Sequence, residues 1–94
     1  MSTRRPRYRY VAFRVEGPRA FSREEILDAL HGLPEPVWLV GFENPFGLAR
    51  CTHWKKQATI DALNALRTVG GTGVRVTTLG TSGTVRRATE KYLS

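Results

Sequence analysis

The sequence predicts an α+β fold with the element order β-α-β-β-α-β and a closing helix. Three observations carry that expectation. Apolar and polar residues alternate over Tyr8–Glu16 and again over 74–77, as on half-buried strands. Apolar residues recur every three or four positions over 26–33 and 60–69, as on amphipathic helices. Between those stretches two apolar runs flank Asn44-Pro45-Phe46-Gly47, a turn tetrad that makes them a hairpin. A length of 94 residues suits one compact domain with a modest core, not two.

In the first strand Val11, Phe13 and Val15 share one face, while Tyr10, Ala12 and Arg14 share the other. Gly17-Pro18 ends it. Ser22-Arg23-Glu24-Glu25 has capping-box spacing: the serine oxygen accepts from the Glu25 amide, and the Glu25 carboxylate reaches back. Ile26, Leu27, Leu30 and Leu33 then form a helical stripe that Gly32 and Pro34 stop. Pro36 introduces a second strand over 37–44, apolar on both faces and so without a defined register. The third strand covers 48–53. A second helix over 55–69 carries Ile60, Leu63, Leu66 and Val69, padded by Ala58, Ala62 and Ala65 for close approach to a sheet. Gly70, Gly71 and Gly73 turn the chain at its end. A fourth strand starts at Val74 and breaks at Gly80; a last helix spans 83–93 with Val85, Ala88 and Tyr92 on one side. Right-handed crossovers put both main helices on one face of a four-stranded antiparallel sheet. This is the ferredoxin-like sandwich, also the RNA-recognition-motif architecture. The opposite face is open unless the last helix covers it.

A net charge of +7 and a pI near 10.5 favour a polyanionic partner. Arg4, Arg5, Arg7 and Arg9 crowd the first nine residues, whereas six of the eight acidic residues fall within 10–43. Residues 1–7 read as a flexible basic arm and 8–94 as a single RNA-binding domain. With Cys51 as the one cysteine, no internal disulfide can form, and a reducing, cytoplasmic location follows. Neither a membrane-spanning apolar run nor a signal peptide is visible, so no membrane partner is expected.

Catalytic readings fare poorly. Cys51 and His53 make a lone C-x-H, with only a distant His31 to add, and a metal site needs three or four ligands. Cys51 is expected to be a buried packing residue. Glu24, Glu25 and Asp28 sit near a helix start, where they suit the dipole. No phosphate loop with Lys-Ser/Thr occurs. The chain reads as non-catalytic by itself, with no metal and no cofactor of its own.

Two binding features are expected instead. Arg14, Arg50 and Arg75 point away from the helices and should form a basic stripe across three neighbouring strands, beside Tyr10. Thr81, Ser82, Gly83 and Thr84 open the last helix, and Arg86 and Arg87 follow at once. Unpaired amides, the positive end of the dipole and two guanidinium groups together make an anion seat. The third strand, Leu48-Ala49-Arg50-Cys51-Thr52-His53, lacks the alternating aromatics on which RNA-recognition domains stack bases. Contacts should therefore run mostly to phosphate and sugar. Trp38 and Trp54 suit a core or an interface as well as a base stack.

Arg50-Cys51-Thr52 on a strand, an alanine-rich helix, a glycine turn and then Thr78-Leu79-Gly80-Thr81-Ser82-Gly83-Thr84 resemble the archaeal and eukaryotic ribonuclease P protein component 2 family. The opening Arg9-Tyr10-Val11-Ala12-Phe13 and Phe21-Ser22-Arg23-Glu24-Glu25 fit the same pattern. So does the closing Arg86-Arg87 with Lys91-Tyr92-Leu93, and the likeness spans 8–93. It implies a protein subunit of the ribonucleoprotein that removes 5′ leaders from precursor tRNA. The RNA subunit is then the catalyst and uses Mg2+. The partners implied are the ribonuclease P RNA, the TIM-barrel protein component 3, the other ribonuclease P proteins and precursor tRNA. Lys91 joins the RNA-facing residues on this resemblance. Two departures stand out: the linker Leu33-Pro34-Glu35-Pro36 is short for such a protein, and Thr77 takes a place where relatives often carry arginine. The element order also fits a small-ligand regulatory domain, and the charge a basic nucleic-acid-packaging protein.

Overall fold

The computed structural model describes residues 7–93, and its element order follows the sequence pattern. Strand β1 spans Tyr8–Glu16, helix α1 Arg23–His31, β2 Trp38–Glu43 and β3 Phe46–Thr52. A 3-10 turn, His53–Lys55, leads into α2, Lys56–Ala65. A short hairpin, β4 Thr68–Val69 and β5 Thr72–Gly73, precedes β6, Arg75–Ser82. Helix α3, Val85–Ala88, runs on as a π turn, Thr89–Leu93. The main sheet has the order β2-β3-β1-β6 with every neighbour antiparallel, which is the ferredoxin-like arrangement.

Strand alternation divides the sheet into two faces. On one, Val11, Phe13, Val15, Leu39, Ala49 and Val76 pack under Ile26 and Leu30 of α1 and Leu63 of α2. Ile26, Leu30 and Leu63 are fully buried, and each such side chain contributes roughly 1.5–3 kcal/mol. Gly47 is required here because a β-carbon would run into the Phe13 ring. On the other face Ala12 and Leu48 meet Ala88 of α3, with Tyr10, Val40 and Tyr92 around them. The last helix thus covers the middle of the otherwise open face.

The capping box forms as spaced. Ser22 Oγ accepts from the Glu25 amide at 3.2 Å, and the Glu25 carboxylate accepts from the Ser22 amide at 3.1 Å. Arg19 donates to both Glu25 oxygens, at 3.1 and 2.6 Å, and its Nε donates to Thr72 Oγ1 at 3.2 Å. Those Arg19 hydrogen bonds, then the Ser22 amide, hold the Glu25 carboxyl down at about 2. One arginine so ties the β1–α1 loop, the first turn of α1 and the small hairpin together.

Several expectations are corrected. The second helix ends at Ala65, not Val69, because Leu66 turns extended; Leu66 and Val69 still reach the core, from non-helical backbone. Their spacing imitates a helical stripe. The glycines after them do not end a helix: Gly70 and Gly71, at φ +57 and +78, make the hairpin turn between β4 and β5. β6 does not break at Gly80 but continues to Ser82, with a bulge where Ala12 pairs with Gly80 and Phe13 with Thr78. The second and third strands run 38–43 and 46–52, since the turn between them is confined to Asn44 and Pro45. Cys51 is half-buried at the core's margin instead of buried, with Sγ 3.7 Å from the Arg9 carbonyl. Of the arm assigned to 1–7, residues 1–6 lie outside the described residues, and the Arg7 carbonyl accepts from the His53 amide at 2.8 Å.

Both sheet edges carry a marked feature. Asn64 of α2 reaches the outer side of β6, where its Oδ1 accepts from the Thr78 amide at 3.2 Å and its Nδ2 donates to Thr78 Oγ1 at 3.4 Å. On β2 the register shifts between Leu39 and Gly41, leaving Val40 as a bulge.

Candidate nucleic-acid interface

The residues expected to make an anion seat come together only in part, around an open groove. Thr81, Ser82 and Gly83, at the end of β6, line one side of an open groove; Arg87, Glu90 and Lys91 line the other. Thr84 is a cap: its Oγ1 accepts from the Arg87 amide at 3.1 Å, and its carbonyl accepts from the Ala88 amide at 3.1 Å. Thr81 and Ser82 are strand residues and not a helix start. Because α3 has only four α-helical residues, its dipole adds little. The groove's positive character rests on side chains. Arg86 donates through Nε to Glu90 at 3.1 Å and so touches the groove only through that carboxylate, without lining it itself.

Arg9, placed on the first strand by its sequence but not named there as a binding residue, lies next to this groove without lining it. Its guanidinium lies 3.7 Å from where a β-carbon on Gly83 would stand. Lys91 Nζ sits 5.4 Å from the Tyr92 ring centroid, and that ring lies over Gly80, where a β-carbon would collide with it.

The basic stripe does not form as one line. Arg14, Arg50 and Arg75 do share the face that carries α3, but they sit at opposite ends of it. Arg50 pairs across the sheet with Tyr10; Arg14 lies four residues further along β1, about 13 Å away by strand rise. Ala12, Leu48 and Ala88 fill the space between. Arg75 pairs with Glu16, which also lies 4.0 Å from Arg14 Nε, so that end is a mixed-charge cluster. Thr77 is the cross-strand neighbour of Arg14.

A different row crosses the sheet. Trp38 on β2, Arg50 on β3, Tyr10 on β1 and Ser82 on β6 are consecutive cross-strand partners. The row leads from an exposed aromatic surface into the groove. The Arg50 guanidinium lies 4.5 Å from the Tyr8 ring centroid and 5.0 Å from that of Trp38. At the Arg50 end of β3, which has no aromatic of its own there, the rings are supplied by the two neighbouring strands. Among the described residues no three of His, Cys, Asp and Glu converge as metal ligands, and no helix is long and apolar enough to cross a membrane.

The profile of the Rpp14/Pop5 family matches residues 32–93. The chain is 33% identical to "Ribonuclease P protein component 2" of Methanosarcina mazei, over 95% of this chain and 86% of that one. It is 30% identical to the protein of the same name in Thermococcus kodakarensis, over 98% and 88% of the two chains. For the one in Archaeoglobus fulgidus the identity is 30%, over 95% and 91%.

Proposed function

Since the chain belongs to the Rpp14/Pop5 family, we propose that it is a protein subunit of ribonuclease P and acts in precursor-tRNA maturation. Its role in that particle is to bind and stabilise the catalytic RNA, which makes the cut and uses the Mg2+. The observation that supports RNA binding most is the continuous surface from Arg50 through Tyr10 and Ser82 to Arg87 and Lys91, with Arg9 beside it. Guanidinium and ammonium groups on a shallow surface suit phosphate oxygens, while hydroxyls and strand amides suit sugar and phosphate. Arg14, Arg75 and Arg86, each beside a carboxylate, are second-rank contacts in this reading. The partners follow from the same role: the ribonuclease P RNA, the TIM-barrel protein component 3, the remaining protein subunits and the precursor tRNA, in the cytoplasm.

Reconstitution tests it. The purified chain is expected to cleave nothing alone. Added with component 3 to the cognate RNA, it is expected to raise leader removal and to lower the Mg2+ needed for it. No gain at any Mg2+ concentration rejects the assignment.

A further inference from the structure

We infer that Tyr8, Arg50 and Trp38 form a stacking seat for unpaired bases of single-stranded RNA. The inference rests on the RNA-binding reading and adds the kind of RNA that this end of the surface takes.

Helix α3 covers only part of its sheet face, and the end holding Tyr8, Arg50 and Trp38 is left open. Tyr8 is 41% exposed and Trp38 59%, on strands two apart, with Arg50 stacked against both rings. Single exposed aromatics are ordinary, but two exposed rings held by one guanidinium make a composite aromatic and cationic surface. Trp54, 63% exposed and edge-on to His53, borders the same hollow with Lys55. Every base has a π-face, so such a surface accepts bases without regard to sequence. Paired bases hide those faces inside the helix, so the seat selects unpaired strands.

Trp, Tyr and Arg also mark protein interfaces, and charge decides between the occupants. No carboxylate lines the hollow, while Arg50 and Lys55 do, and Arg50 makes no ion pair among the described residues. A polyanion gains from both cations as it stacks, and the adjoining groove continues the positive surface for its phosphates. A strand lying along Trp38, Arg50, Tyr10 and Ser82 would place its bases at one end and its backbone at the other.

The test uses the full chain with a mixed-sequence RNA of about ten nucleotides, single-stranded or annealed into a duplex. The single strand is expected to bind more tightly and to quench tryptophan fluorescence. Tyr8→Leu with Trp38→Leu should weaken single-strand binding about tenfold or more and duplex binding little. The salt dependence should stay unchanged, because no cation is removed. Tyr8→Phe with Trp38→Phe should restore binding, which separates stacking from any disturbance of the fold. Equal affinity of wild type and the leucine variant overturns the inference, as does equal affinity for duplex and single strand. Lost association with component 3 at unchanged RNA affinity also overturns it and assigns the surface to a protein. Each of these failures leaves the reconstitution result standing by itself.

Discussion

Glu25 serves two neighbours at once, closing the capping box on Ser22 and taking both hydrogen bonds of the Arg19 fork. Its carboxyl is held at about 2 against an ordinary 4.5. A depressed value contributes stability that is fully present above the unfolded value and is lost as pH falls through the folded one. The window therefore runs from about pH 4.5 down to about pH 2. Glu25→Gln is expected to lower Tm at neutral pH and to flatten the fall of Tm across that window. Melts at a series of pH values check it; parallel wild-type and variant curves would rule the pair out as the source of acid sensitivity. The serine–glutamate half of this cluster was legible from four adjacent residues. The arginine half was not, because Arg19 meets Thr72 only after the chain has folded back across 53 positions.

Among the elements, the short α3 shows what a sequence motif can conceal. In Thr78-Leu79-Gly80-Thr81-Ser82-Gly83-Thr84, three positions have structural work before any ligand is considered. The bulge falls between Thr78 and Gly80, Gly80 makes room for Tyr92, and Thr84 caps the helix. Gly80→Val should push the Tyr92 ring off the sheet, costing about 1–3 kcal/mol in a denaturant melt and speeding hydrogen exchange over 85–93. Adding Tyr92→Leu should recover part of the loss, since the two side chains compete for one space. A melt unaltered by Gly80→Val would show that the helix is not seated through that ring. Elements with a clean period, β1 and α1, were readable within a residue or so. The end of α2 was not, because Leu63, Leu66 and Val69 keep helical spacing while the backbone has already turned toward the Gly70-Gly71 hairpin.

For the molecule as a whole, the two ends of β1 separate two tasks. At the Glu16 end, the Arg19–Glu25–Thr72 cluster braces loops against helix. At the Tyr8 end, the basic groove and the aromatic surface meet across Tyr10. If the groove holds phosphate, Arg87→Ala with Lys91→Ala should lower the slope of log affinity against log salt by roughly 1.4–1.8, with Tm little changed. RNA titrations at several salt concentrations decide it, and an unaltered slope excludes the groove. The net charge and strand order announced a basic sheet face in advance. They did not announce where α3 would lie, and it is α3 that splits Arg14 and Arg75 from Arg50.

The Asn64 side chain on the rim of β6 has a further consequence. An antiparallel sheet of four strands has two unpaired borders, each a template on which another chain can lay a strand. At Thr78 that template is already occupied by a side-chain amide mimicking the missing strand, and at Val40 the opposite border is kinked by its bulge. Two copies of the chain would otherwise be free to zip edge to edge into aggregates. These two small irregularities work against that, and so favour a chain that meets its neighbours through side chains and keeps its sheet at four strands.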